Sequence, residues 1–70
     1  MTVFSSRLQS IRIERGCSRK EIADLLKITP RAYQYYEEGR SEPSILRLVK
    51  LADFFMVSLD ELVGRDWIGL

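Results

Sequence analysis

Histidine is absent from this 70-residue chain, which removes imidazole acid–base catalysis and histidine metal sites. Cysteine occurs once, at Cys17, so no internal disulfide can close and no CxxC pair can hold zinc or cycle redox state. No apolar run approaches the ~18–20 residues that span a bilayer, and no signal-peptide pattern opens the chain, so the expectation is a cytoplasmic protein with no membrane partner. Net charge is also nearly lacking: 11 Lys/Arg against 10 Asp/Glu gives 11 − 10 = +1, too little to announce an anionic partner by itself. Together these absences leave no basis for an enzyme, and the expectation is no metal, no cofactor and no small-molecule ligand.

The composition that remains is globular: 46% of residues are apolar and 30% charged, which separates the chain from disordered sequences. Its length suits one small domain, expected over residues 1–64 with a short tail at 65–70. The small net charge hides an asymmetry. Residues 1–40 hold eight Lys/Arg and five Asp/Glu, 8 − 5 = +3, whereas residues 41–70 hold three and five, 3 − 5 = −2. An anionic partner should meet the first part.

Local signals read as helices throughout. Leu8 and Ile11 recur at i, i+3 in a first helix expected from Ser5 or Ser6 to about Arg15, where Gly16 offers a left-handed end. Ser18 with Glu21 forms a capping-box pattern opening a second helix, about Arg19 to Leu26, with Ile22, Leu25 and Leu26 on one face. Thr29-Pro30 starts a third, which ends at Gly39 and turns Tyr33 and Tyr36 inward. After the loop Gly39-Arg40-Ser41-Glu42-Pro43, Ser44 caps a fourth helix expected to bury Ile45, Leu48, Leu51, Ala52 and Phe55. Ser58 with Glu61 repeats the capping box before a single turn that stops at Gly64. Five helices with short connections and no strand alternation predict an all-α domain.

The second and third helices are joined only by Lys27-Ile28-Thr29, the spacing of a helix-turn-helix. Spacing alone is weak evidence, but the residues add specificity: RLQSIRIERGCS, RKEIADLL, ITPRAYQYYEEGR, EPS and LVKLADFFMVSLDELVG follow one another in order. In these segments, from Arg7 to Gly64, the chain resembles the Cro/CI-type (XRE-like) helix-turn-helix family. The resemblance implies a compact five-helix, lambda-repressor-like fold whose third helix enters the DNA major groove while the second crosses the backbone.

Carried over position by position, the resemblance makes Pro30, Arg31, Gln34 and Tyr35 the base-facing residues. It makes Ser18, Arg19, Thr29 and Arg40 backbone contacts. Helical geometry agrees in part, because burying Tyr33 and Tyr36 turns Arg31, Gln34 and Tyr35 outward. Arg31 suits guanine O6/N7 and Gln34 suits adenine N6/N7, while Tyr35 offers a ring to a thymine methyl or a hydroxyl to phosphate. Arg19 stands where the family has Gln, which adds charge. Glu38 stands where it often has Asn, and a carboxylate there should repel DNA.

Each residue also has a plainer reading. Tyr33 and Tyr36 are core aromatics by spacing, an exposed Arg31 is ordinarily just solvated, and Cys17 reads as a small buried hydrophobe rather than a reactive thiol. Arg12 and Glu37 match a family ion pair that braces the first helix against the third. Leu46, Met56, Trp67, Ile68 and Leu70 form a possible dimer patch. The function implied is a sequence-specific transcriptional regulator, a repressor acting as a homodimer on a palindromic double-stranded operator. Two alternatives stand beside it: a DNA-binding antitoxin, and a protein-interaction module on the same fold.

Overall fold

A computed structural model describes residues 3–64. Five helices follow in order: α1 (Val3–Glu14), α2 (Arg19–Leu26), α3 (Pro30–Glu38), α4 (Ile45–Phe55) and α5 (Leu59–Val63). No strand occurs among the described residues. Four of the helices begin at a hydroxyl cap, as their sequence signals require. The Ser18, Thr29, Ser44 and Ser58 side chains each accept a hydrogen bond from the backbone N–H three residues on, and the two serine–glutamate capping boxes are both closed. The same four helices end in a left-handed residue, respectively Lys27, Gly39, Met56 and Gly64. Lys27 and Met56 adopt φ near 57° without being glycine, a conformation that costs an L-residue about 1–2 kcal/mol.

The core is drawn from all five helices. Leu8, Ile22, Tyr33, Leu51, Phe55 and Leu62 have their side chains almost wholly removed from water. Each aliphatic side chain so buried contributes roughly 1.5–3 kcal/mol. α2 packs on α3, α1 on both α3 and α5, and α4 on α5, so α1 spans the molecule from the helix-turn-helix to the last turn. Arginines from α1 and just beyond it fasten the far ends. Arg7 Nε donates to the Glu61 carbonyl at 3.1 Å, and Arg15 Nη2 donates to the Phe55 carbonyl at 2.9 Å. Both acceptors lie in C-terminal turns of helices, where the helix dipole favours a cation, and the Glu61 carbonyl also accepts from the Gly64 N–H.

The structure corrects several local expectations. α1 begins at Val3 rather than Ser5 or Ser6, and ends at Glu14. Ser5 is buried within the helix rather than at its start, and Phe4 beside it packs against the core with Leu8. Ile45 is 76% exposed although it continues the Leu48–Leu51–Phe55 stripe. A helical side chain covers the turn before its own Cα, and the first residue of a helix has no such turn to cover. Leu25, Leu48 and Cys17 are half-buried rather than buried, Leu48 and Cys17 packing against the core from its edge.

Candidate nucleic-acid interface

α2 and α3 meet through a tight turn whose geometry is set by Lys27 in its left-handed conformation and by the Ile28 N–H, which donates to the Ala23 carbonyl at 3.0 Å. At the opposite ends of the two helices from that turn, where α2 begins and α3 finishes, lies a buried polar hub. Glu37, near the end of α3 and only 4% exposed, accepts from the Arg12 guanidinium through both carboxylate oxygens and from the Tyr33 hydroxyl. Arg12 Nη1 also donates to the Cys17 carbonyl at 3.0 Å, ahead of α2. The expected Arg12–Glu37 pair is therefore formed, and it ties α1, the start of α2 and α3 together. Burial acts to raise the Glu37 pKa, but hydrogen bonds from Arg12 and Tyr33 outweigh it and hold the carboxyl below its ordinary range. The hydrogen bond to Glu37 raises the Arg12 pKa in turn, against desolvation.

Arg19 joins the same hub, which the sequence does not foretell. Its Nε donates to Glu37 Oε1 at 3.3 Å, while the side chain remains 48% exposed at the first position of α2. The inner edge of its guanidinium is thus fixed by protein and the outer edge faces water. Ser18 and Thr29 use their hydroxyl oxygens as caps, accepting from Glu21 N and Ala32 N at 3.1 Å each. Accepting engages a lone pair and leaves the O–H able to donate.

The outward face of α3 carries the expected base-facing residues together. Pro30, Arg31 and Gln34 are exposed, and Tyr35 is half-buried rather than fully outward. Its ring lies between two guanidiniums, with Arg31 Cζ 5.9 Å and Arg40 Cζ 5.7 Å from the ring centroid. Arg31 Nε also donates to the Tyr35 hydroxyl at 3.1 Å. Gln34 Nε2 donates to Glu38 Oε2 at 2.8 Å, and Arg40 Nε lies 3.1 Å from Glu38 Oε1. The Arg31–Tyr35 and Gln34–Glu38 contacts are i, i+4 neighbours on a helix, a spacing legible in the sequence. The Arg40 contacts depend on Gly39 reversing the chain at φ 76°. A cleft of about 350 Å³ lined by Gln9, Arg19, Gln34, Glu37, Glu38 and Arg40 runs beside this face. It brings Arg19 and Arg40 to one opening and adds Gln9, which the sequence does not single out.

Of the expected dimer patch, only Leu46 and Met56 fall among the described residues. Leu46 and Met56 are 78% and 88% exposed, but they stand at opposite ends of α4, about 15 Å apart along its axis. Met56 has exposed Phe54 and Leu59 near it in sequence, whereas Leu46 lines a groove with Leu26 and Val49. Trp67, Ile68 and Leu70 lie outside the described residues. No three-residue cluster of metal-ligating side chains and no helix able to cross a membrane occurs among the described residues.

A short turn between α2 and α3, a polar hub joining the start of α2 to the end of α3 and an exposed α3 face rich in hydrogen-bonding side chains define a helix-turn-helix domain. The helix-turn-helix family model matches residues 8–62, and the chain belongs to the Cro/CI-type (XRE) helix-turn-helix family. It is 39% identical over 61 residues to the SPbeta prophage-derived uncharacterized HTH-type transcriptional regulator YonR of Bacillus subtilis, covering 87% of this chain and 56% of that protein. It is 42% identical over 60 residues to the HTH-type transcriptional regulator AnsR of the same organism, covering 86% and 52%. The cryptic phage CTXphi transcriptional repressor RstR of Vibrio cholerae is 34% identical over 62 residues, covering 89% and 56%. A crystal structure of a transcriptional regulator from Listeria innocua superposes with a TM-score of 0.84 at 39% identity, covering 87% of this chain and 57% of that one. The chain spans about half the length of the curated relatives it matches.

Proposed function

We propose that this chain binds double-stranded DNA sequence-specifically and regulates transcription as a repressor, acting by occupancy as a homodimer on a palindromic operator. The observation that carries the reading is the division of α3. Tyr33, Tyr36 and Glu37 hold the helix to the core, while Arg31 and Gln34 stand exposed with the half-buried Tyr35 beside them. A helix presented this way fits the major groove, where Arg31 reads guanine and Gln34 reads adenine. Arg19 and Arg40, which open onto one cleft beside α3, then contact the phosphates that flank the groove. The relatives named as transcriptional regulators and as a phage repressor support the same role. One such helix reads few base pairs, so an operator of useful length needs two half-sites about 34–36 Å apart and a dimer to span them.

Selection of bound sites from a random duplex pool tests this reading, with a palindromic consensus as the expected result. On the selected site, Arg31→Ala should relax preference at one base pair of each half-site, by about 1–3 kcal/mol of discrimination. Arg19→Ala should instead weaken binding evenly across sequences and flatten the log–log salt dependence by about 0.9 for each phosphate left without its arginine. Equal weakening on every sequence for Arg31→Ala would assign Arg31 to the phosphates, and a pool without any enrichment would overturn the function.

A further inference from the structure

Glu38 is the acidic side chain set among the outward reading residues of α3, and electrostatics alone makes it a defect in a surface that meets phosphates. Its contacts give it a task. Each carboxylate oxygen serves a different residue: Oε2 accepts from Gln34 Nε2 at 2.8 Å, and Oε1 lies 3.1 Å from Arg40 Nε. Arg40 stacks over the Tyr35 ring, and the Tyr35 hydroxyl accepts from Arg31 Nε, so a continuous chain runs Gln34–Glu38–Arg40–Tyr35–Arg31. Those five residues line one shallow cavity of about 180 Å³ on the outer face of α3.

The chemistry of the carboxylate fixes the sense of the Gln34 amide. An ionised carboxylate only accepts, so the amide must present its NH2 to Glu38 and turn its carbonyl away. A neutral or absent partner at position 38 imposes no such choice, and the two faces of the amide become nearly equivalent. In the major groove that choice has meaning, because adenine and cytosine present an amino donor where guanine and thymine present a carbonyl acceptor.

We propose that Glu38 is a positioning residue for base readout: it locks the Gln34 carbonyl outward, so that Gln34 selects a base bearing an exocyclic amino group, and it holds Arg40 in competition with DNA phosphates. The inference rests on the DNA-binding reading above. It makes Glu38 a trade of overall affinity for discrimination, since the carboxylate repels phosphates on every sequence and orients one side chain for a particular base.

The test uses the full chain and the consensus duplex, with all four bases placed in turn at the position whose preference disappears in Gln34→Ala. The unsubstituted protein should prefer adenine or cytosine there over guanine or thymine by about tenfold. Glu38→Gln, nearly isosteric and able to accept or donate, should reduce that preference to about twofold or less while tightening binding to every duplex and steepening the salt dependence. In the Gln34→Ala background, Glu38→Gln should still tighten binding but change no preference. Arg40→Gln leaves the Glu38–Gln34 bond in place, and should weaken binding while the amino preference persists. A full preference retained in Glu38→Gln overturns the positioning role, as does a guanine or thymine preference in the unsubstituted protein. Absence of any selected consensus for the unsubstituted protein overturns the DNA-binding reading itself, and the inference with it.

Discussion

Glu37 shows how much one side chain decides in a small helical domain. Its carboxylate faces the buried Arg12 guanidinium, and it also receives Tyr33 and Arg19. With side-chain exposures of 11% for Arg12 and 3% for Glu37, the pair lies on the buried side of the scale, where removing one partner costs about 3–5 kcal/mol. Glu37→Gln should therefore lower the urea midpoint strongly at neutral pH. The sign of the pH effect follows from the lowered pKa of Glu37. The unfolded chain binds that proton more readily, so the carboxylate contribution is complete above the unfolded value of about 4.3 and is lost as pH falls through the lower folded value. The stability gap between the unsubstituted protein and Glu37→Gln should shrink below about pH 4 in denaturation curves. A gap constant from pH 7 to pH 3 would show that the carboxylate is solvated rather than held by Arg12.

At the scale of elements, the junction between α1 and α5 is a tight joint. Gly64 closes α5 at φ +75°, and a Cβ built there would stand 2.3 Å from Val3 Cγ1 and 3.0 Å from Arg7 Cγ. Gly16, at φ +71°, has nothing within 4 Å of the same hypothetical atom. The two glycines thus separate backbone strain from close approach. Gly16→Ala should cost only the left-handed penalty of about 1 kcal/mol. Gly64→Ala should cost more, because Val3 must move and the Arg7 bond to the Glu61 carbonyl is held by the same turn. Urea denaturation of both variants measures the difference directly. Equal midpoints would mean that the start of α1 yields without cost.

For the whole molecule, the proposed homodimer raises the question of whether either exposed end of α4 meets the second copy. Leu46 and Met56 stand at opposite ends of the helix, so single substitutions distinguish them. Met56 stands 88% exposed in a left-handed conformation that glycine would occupy with less strain, with exposed Phe54 and Leu59 close in sequence. Burying a methionine contributes about 1.5–3 kcal/mol, so Met56→Glu should weaken self-association by at least about tenfold in sedimentation equilibrium. Leu46→Glu should leave it nearly unchanged. The reverse pattern would move the interface to the Leu26–Leu46–Val49 groove.

What the sequence determines by itself is whatever is written in neighbouring residues. The hydroxyl caps at Ser18, Thr29, Ser44 and Ser58, the glycine stops at Gly39 and Gly64, and the inward Tyr33 and Tyr36 all follow from contacts within one or two turns. Those signals suffice for five helices and for the outward face of α3, because 3.6-residue periodicity makes opposite faces a local property. The resemblance supplied the Arg12–Glu37 pair, whose members are 25 positions apart. Tertiary structure alone decided the rest. Arg19 joins Glu37 across 18 positions only because α2 and α3 pack together. Caps and periodicity are short-range free energies that a sequence states openly, whereas the partner of a charged side chain depends on where distant segments come to rest.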